Sequence, residues 1–97
     1  MELKRVVVTG LGALTPIGNN IQEYWDALKS GKSGCAPITY FDTEKFKTKF
    51  ACEIKNYDPL QHFDRKEARK LDRFAQYALV SSDQAIQDAA LDMDAID

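Results

Sequence analysis

Histidine is almost missing from this chain, and cysteine is scarce: one His and two Cys in 97 residues. His62 has no matching cysteine or carboxylate cluster, so no metal site is expected. Cys35 and Cys52 lie far apart and form no CxxC pair, which argues against a metal or disulfide framework. Activating a cysteine needs a nearby base, cation or helix N-terminus, and neither cysteine shows one in sequence. Long apolar runs are also absent, so no transmembrane segment is expected. Lys4 and Arg5 precede only three valines, too few for a signal-peptide core, and a cytoplasmic protein is the expectation. Three prolines and 29% charged residues argue against disorder. A net charge of −2 gives no global pull towards nucleic acid or membrane.

What is present is 44% hydrophobic residues, enough to pack. Lys4–Thr9 reads as a strand, and β-branched Val6, Val7 and Val8 predict burial on both faces. A loop follows from Gly10 to Asn20. Asn20 with Glu23 predicts a helix N-cap. Ile21, Tyr24, Trp25 and Leu28 then recur at helical spacing over Ile21–Ser30, and Gly31 is the natural C-cap. Residues 32–63 read as irregular apart from Lys49–Lys55. There Phe50, Cys52 and Ile54 alternate with polar residues, predicting one apolar face with Cys52 in the core. Asn56-Tyr57-Asp58-Pro59 reads as a turn. Asp64 with Glu67 is a second cap-like pair, opening a helix from Arg65 to about Ala90 that bends near Asp72. A buried parallel-type strand needs neighbours on both sides, and one candidate is on hand. Residues 1–97 are therefore expected to be the N-terminal segment of a larger domain, not a complete one.

The glycine loop invites a nucleotide reading, which fails in detail. The dinucleotide fingerprint needs glycine at position 15, where Thr15 stands, with Pro16 behind it. The short-chain dehydrogenase pattern fails at Leu14. No second hydrophobic strand ending in an acid follows the first helix. Two readings of Gly10, Gly12 and Gly18 remain: residues that permit tight turns at positive φ, or a direct ligand contact. A nicotinamide-dependent oxidoreductase is the weakest functional candidate on these grounds.

The second feature is basic. On a helix at about 100° per residue, Arg65, Lys66, Arg69, Lys70 and Arg73 fall within about 140° of arc. Leu71, Phe74, Ala75, Ala78, Ser82, Ala85 and Ala89 fall opposite, and their small side chains allow close packing. The cations make either a solvated face or an anion-docking face. Charge is segregated along the chain: residues 83–97 carry five aspartates and no Lys or Arg. Nucleic acid suits this patch poorly, because no aromatic residues interleave the cations. An acidic protein suits it better.

The order of motifs carries a resemblance. VVVTGLGALTPIGN, then Trp25, Leu28, Gly31, Ser33 and Gly34 in a W-x-x-L-x-x-G-x-S-G pattern, resembles the start of β-ketoacyl-acyl carrier protein synthases. Phe41-Asp42, Thr48-Lys49-Phe50-Ala51 and the stretch Asp64–Asp72 are similar to the type II, elongating condensing enzymes of bacterial fatty acid synthesis. The resemblance runs the whole length of the chain. It implies a thiolase-like α/β fold, layered α/β/α/β/α. It implies decarboxylative condensation of malonyl-acyl carrier protein with an acyl chain on an enzyme cysteine. It also implies a homodimer and no dissociable cofactor, the phosphopantetheine arm arriving on the carrier. The family's catalytic cysteine and two histidines match none of Cys35, Cys52 and His62, so no catalytic residue is expected in this chain. The positions matching Lys66, Arg69 and Lys70, with Arg65 beside them, belong to the family's carrier-docking patch. Charge reversal there is expected to impair carrier-bound substrates far more than small thioesters. A non-catalytic chain-length-factor subunit, or a polyketide or aryl-polyene synthase, is the alternative within the same fold.

Overall fold

The computed structural model describes residues 2–96. Helix α1, Ile21–Ser30, starts and stops where its caps dictate. The Asn20 side chain accepts from the Glu23 amide at 2.9 Å, and Gly31 closes the helix in the left-handed region at φ 70°. Strands β1, Ala36–Pro37, and β2, Phe50–Ala51, pair antiparallel with Ala36 opposite Ala51. A 3-10 turn at Pro59–Gln61 is capped by the Asp58 side chain. Helix α2, Arg65–Lys70, and helix α3, Arg73–Asp88, follow, then a 3-10 turn at Met93–Ala95.

The expected single helix from Arg65 to Ala90 is broken, not bent. Leu71 is extended at φ −105°, ψ 129°, and Asp72 opens α3 as its N-cap. Asp72 gives α3 a fresh start, and a continuous wheel through residues 65–90 therefore misplaces side chains. Phe74, expected on the packed side, is 76% exposed, and Ala78 and Ser82 are exposed too. The inward face carries Gln76 and Val80, buried, and Ser81 and Gln84, half-buried, while Ala75, Ala85 and Ala89 of the expected side are half-buried as well.

That face receives the N-terminal segment. The Leu11 amide donates to Asp88 Oδ2 at 2.9 Å, and the Ala13 amide to Gln84 Oε1 at 3.0 Å. Two residues of extended chain cover about 6.7 Å and one helical turn about 5.4 Å. Amides two apart thus meet side chains four apart on a helix. Gln84 Nε2 returns a bond to the Asn19 carbonyl at 2.8 Å.

The glycines serve this approach. A Cβ at Gly10 would strike the Ala85 carbonyl, and one at Gly12 the Ser81 carbonyl. The expectation of positive φ at Gly10, Gly12 and Gly18 is not met; among the described glycines only Gly31 has it. The small residues of α3 admit backbone rather than a side-chain layer, as Ala85 and Ala89 show.

Lys4–Thr9 forms no β-ladder among the described residues, and Val6 is 88% exposed. The expected burial on both faces fails because a strand's burial comes from neighbours, and no described segment lies beside it. Phe50 is exposed although β2 is paired with β1, because the two-residue ladder covers its edge and not its face, and Cys52 lies on the surface instead of in the core. On α1, Ala27 is the buried residue, whereas Trp25 and Leu28 are exposed. The radius of gyration is 17.4 Å, against about 13 Å for a compact domain of this length. Apolar faces on the valine segment, α1, β2 and Phe74 thus stand open in the isolated chain.

Candidate functional site: the basic face of helix α2

Helix α2 has six residues and four cations. Alone it would not form, because nucleation is costly and isolated helices need roughly 12 residues or more. Arg65 with Arg69, and Lys66 with Lys70, are like-charge pairs one turn apart, each unfavourable by roughly 0.2–0.5 kcal/mol. External ties offset this. At the N-terminus the Glu67 amide donates to Asp64 Oδ1 at 2.7 Å, so the Asp64–Glu67 pair read from sequence is a true cap. Asp64→Ala should destabilise α2 by about 1 kcal/mol. Amide exchange in α2 of the full-length protein should then rise about fivefold while exchange in α3 holds; parallel rises in both helices would contradict a local cap.

At the C-terminus the tie comes from α3. Gln76, only 3% exposed, donates from Nε2 to the carbonyls of Ala68 at 3.0 Å and Leu71 at 3.1 Å. Its Oε1 accepts from the Tyr57 hydroxyl at 2.7 Å. Burial pushes the Tyr57 phenol above its ordinary value near 10, against the opposing pull of the Arg73 guanidinium. The hydroxyl therefore keeps its donating proton throughout the neutral range. Sequence reading missed Gln76 and Tyr57, whose partners lie 5 to 19 residues away.

Arg65, Lys66, Arg69 and Lys70 are all exposed, and none forms a salt bridge among the described residues. Arg65 and Arg69 border a shallow hollow with Pro59, Leu60 and Ala68. Exposed Leu60, lining the same hollow as Arg65 and Arg69, offers an apolar contact beside two cations. Arg73, grouped with these cations on the sequence wheel, lies beyond the helix break. Its guanidinium sits 5.2 Å over the Tyr57 ring and so has an aromatic partner of its own.

The glycine loop is a different kind of place. Helix N-termini attract anions, but that of α1 is already served by its own residues. Asn20 takes the Glu23 amide, and the Glu23 carboxylate accepts from the Asn19 amide at 3.2 Å. A carboxylate there repels phosphate. The Lys55 ammonium, lining the same hollow, donates to the carbonyls of Pro16, Gly34 and Glu53 at 3.1, 2.7 and 2.9 Å. It ties three segments together and has no proton left for a ligand. Cys35 and Cys52 are free and exposed. The His62 ring stacks on Tyr57 at 5.8 Å. Among the described residues no three His, Cys, Asp or Glu side chains gather to hold a metal ion. No helix there is long and apolar enough to cross a membrane.

Comparison with known proteins places this geometry. The profile of the β-ketoacyl synthase N-terminal domain matches residues 3–97. The 3-oxoacyl-[acyl-carrier-protein] synthase 2 of Synechocystis sp. is 53% identical over 91 residues, which is 94% of this chain and 22% of that protein. The protein of the same name from Staphylococcus aureus strain COL is 48% identical over 90 residues, and that from Coxiella burnetii 46% over 93. The chain thus spans about a fifth of the length of the curated relatives it matches. Among solved structures, the ishigamide ketosynthase/chain length factor superposes with a TM-score of 0.78 at 37% identity, over 91% of this chain and 22% of that one. The α/β arrangement described above is therefore the corresponding portion of a thiolase-like ketosynthase fold. The chain belongs to the β-ketoacyl synthase family, within its N-terminal domain.

Proposed function

We propose that this chain is the N-terminal segment of a 3-oxoacyl-[acyl-carrier-protein] synthase of fatty acid elongation, and that α2 docks the carrier protein. The observation that carries the docking reading is the set of four exposed cations on α2 without salt-bridge partners among the described residues. Relatives at 46–53% identity that bear the synthase name support the activity. In that reaction malonyl-carrier loses carbon dioxide. The resulting carbanion attacks an acyl thioester held on an enzyme cysteine, releasing the cysteine and forming a 3-oxoacyl-carrier. The cysteine and its histidines belong to the remainder of the domain, and this segment supplies docking and scaffold. The rest of the domain covers the open valine segment and α1. The whole protein is a cytoplasmic homodimer without a dissociable cofactor, phosphopantetheine arriving on the carrier.

A second reading, a chain-length-factor subunit or polyketide-type ketosynthase, is favoured by the likeness to the ishigamide ketosynthase/chain length factor. Full-length protein given malonyl- and acyl-carrier should form one 3-oxoacyl product per carbon dioxide released. Carrier binding without condensation selects the chain-length-factor reading. Condensation of small thioesters without carrier binding overturns the docking role.

A further inference from the structure

We propose that Gln76 is the positioning residue of the α2 docking face, an inference that rests on the docking reading above. The carbonyls at the end of a helix lack intrahelical partners. A glycine C-cap normally satisfies some of them, as Gly31 does for α1. Helix α2 has no such cap, because Leu71 turns extended. The Gln76 amide takes that place from the neighbouring helix, binding Ala68 O within α2 and Leu71 O at the break. The same side chain accepts from Tyr57, which precedes the Pro59–Gln61 turn that lines the hollow beside Arg65 and Arg69. Both amide protons and the amide oxygen are engaged, and the group is buried. One side chain therefore holds α2 against α3 and against the Leu60 side of the hollow. Apart from the Asp64 cap at the other end, four mutually repelling cations on a six-residue helix have little else to hold them in one orientation.

This role differs from general stability because its effect reaches the partner through α2. Gln76→Glu keeps the shape but sets a carboxylate oxygen against two carbonyls. Gln76→Met keeps approximate volume and removes all three bonds. Tyr57→Phe removes only the third. In the full-length synthase, both Gln76 variants should raise KM for acyl-carrier about tenfold and leave kcat within about twofold. Turnover of a pantetheine thioester should hold within about twofold. Tyr57→Phe should raise the carrier KM about threefold.

An unchanged carrier KM, or equal losses on carrier and pantetheine substrates, overturns the proposal. If neither Gln76 variant folds, Tyr57→Phe decides alone, and an unchanged carrier KM there overturns it. Charge reversal at Lys66, Arg69 and Lys70, run in parallel, separates the two claims. Indifference to reversal removes the docking reading itself. Sensitivity to reversal with indifference to Gln76 removes only the positioning role.

Discussion

Replacing Lys66, Arg69 and Lys70 by glutamate in the full-length protein is expected to cut kcat/KM for acyl-carrier about a hundredfold. Use of a pantetheine thioester should change by less than about twofold. An exposed pair is worth at most about 1 kcal/mol because water screens it, so one lost contact has a small effect. Three lost pairs and the new repulsions together reach about 3 kcal/mol, and each 1.4 kcal/mol is tenfold. The cations are exposed and lack salt-bridge partners within the described residues, so reversing them breaks no internal pair there. Reversal also leaves the Asp64 cap and the Gln76 amide untouched, both of which act on backbone. Thermal unfolding should therefore shift little while carrier use collapses. Equal losses on both substrates would mean that α2 serves structure rather than docking.

Gly12→Ala is expected to have the largest effect on folding, about 2–4 kcal/mol, enough to lower soluble yield sharply. The added methyl meets the Ser81 carbonyl, with the Ala85 amide and Gln84 Cβ each at 2.9 Å. Backbone on one side and helix on the other leave neither free to yield. Relief requires the segment to lift from α3, stretching the Leu11–Asp88 and Ala13–Gln84 bonds. Gly31→Ala provides the contrast. Its Cβ would meet nothing within 4 Å, and its cost of roughly 1–2 kcal/mol comes only from the left-handed φ of 70°. Thermal unfolding of the full-length variants should rank Gly12→Ala well below Gly31→Ala. The reverse order would mean that the loop does not press on α3 as described.

The features legible in sequence were those whose causes are local. Asn20, Glu23 and Gly31 bound α1 within a few residues of themselves, and Asp64 announces α2 in the same way. The family resemblance was legible because motif order survives where individual motifs are weak. The break after α2 was only half legible. Asp72 signals a cap, but the basic and small residues around it keep helical spacing across the gap, and Leu71 can occupy either conformation.

What was hidden depends on partners distant in the chain. The purpose of Gly10 and Gly12 is set by Ala85 and Ser81, far along the chain, whereas their local sequence points to positive φ. The valine segment has the composition of a buried strand, but a ladder is a property of neighbours rather than of one sequence. Gln76 looks like any polar residue on a helix until Leu71 turns out of the helix and Tyr57 comes alongside.

Complementary rescue tests carrier docking by α2 most directly. The full-length protein with Lys66, Arg69 and Lys70 reversed to glutamate is paired with a carrier protein whose facing acidic residues are reversed to lysine. Affinity is measured for all four combinations at low salt. Each single reversal should weaken binding about a hundredfold, and the double reversal should recover at least about tenfold. Equal weakness of the doubly reversed pair would contradict a carrier-docking role for α2.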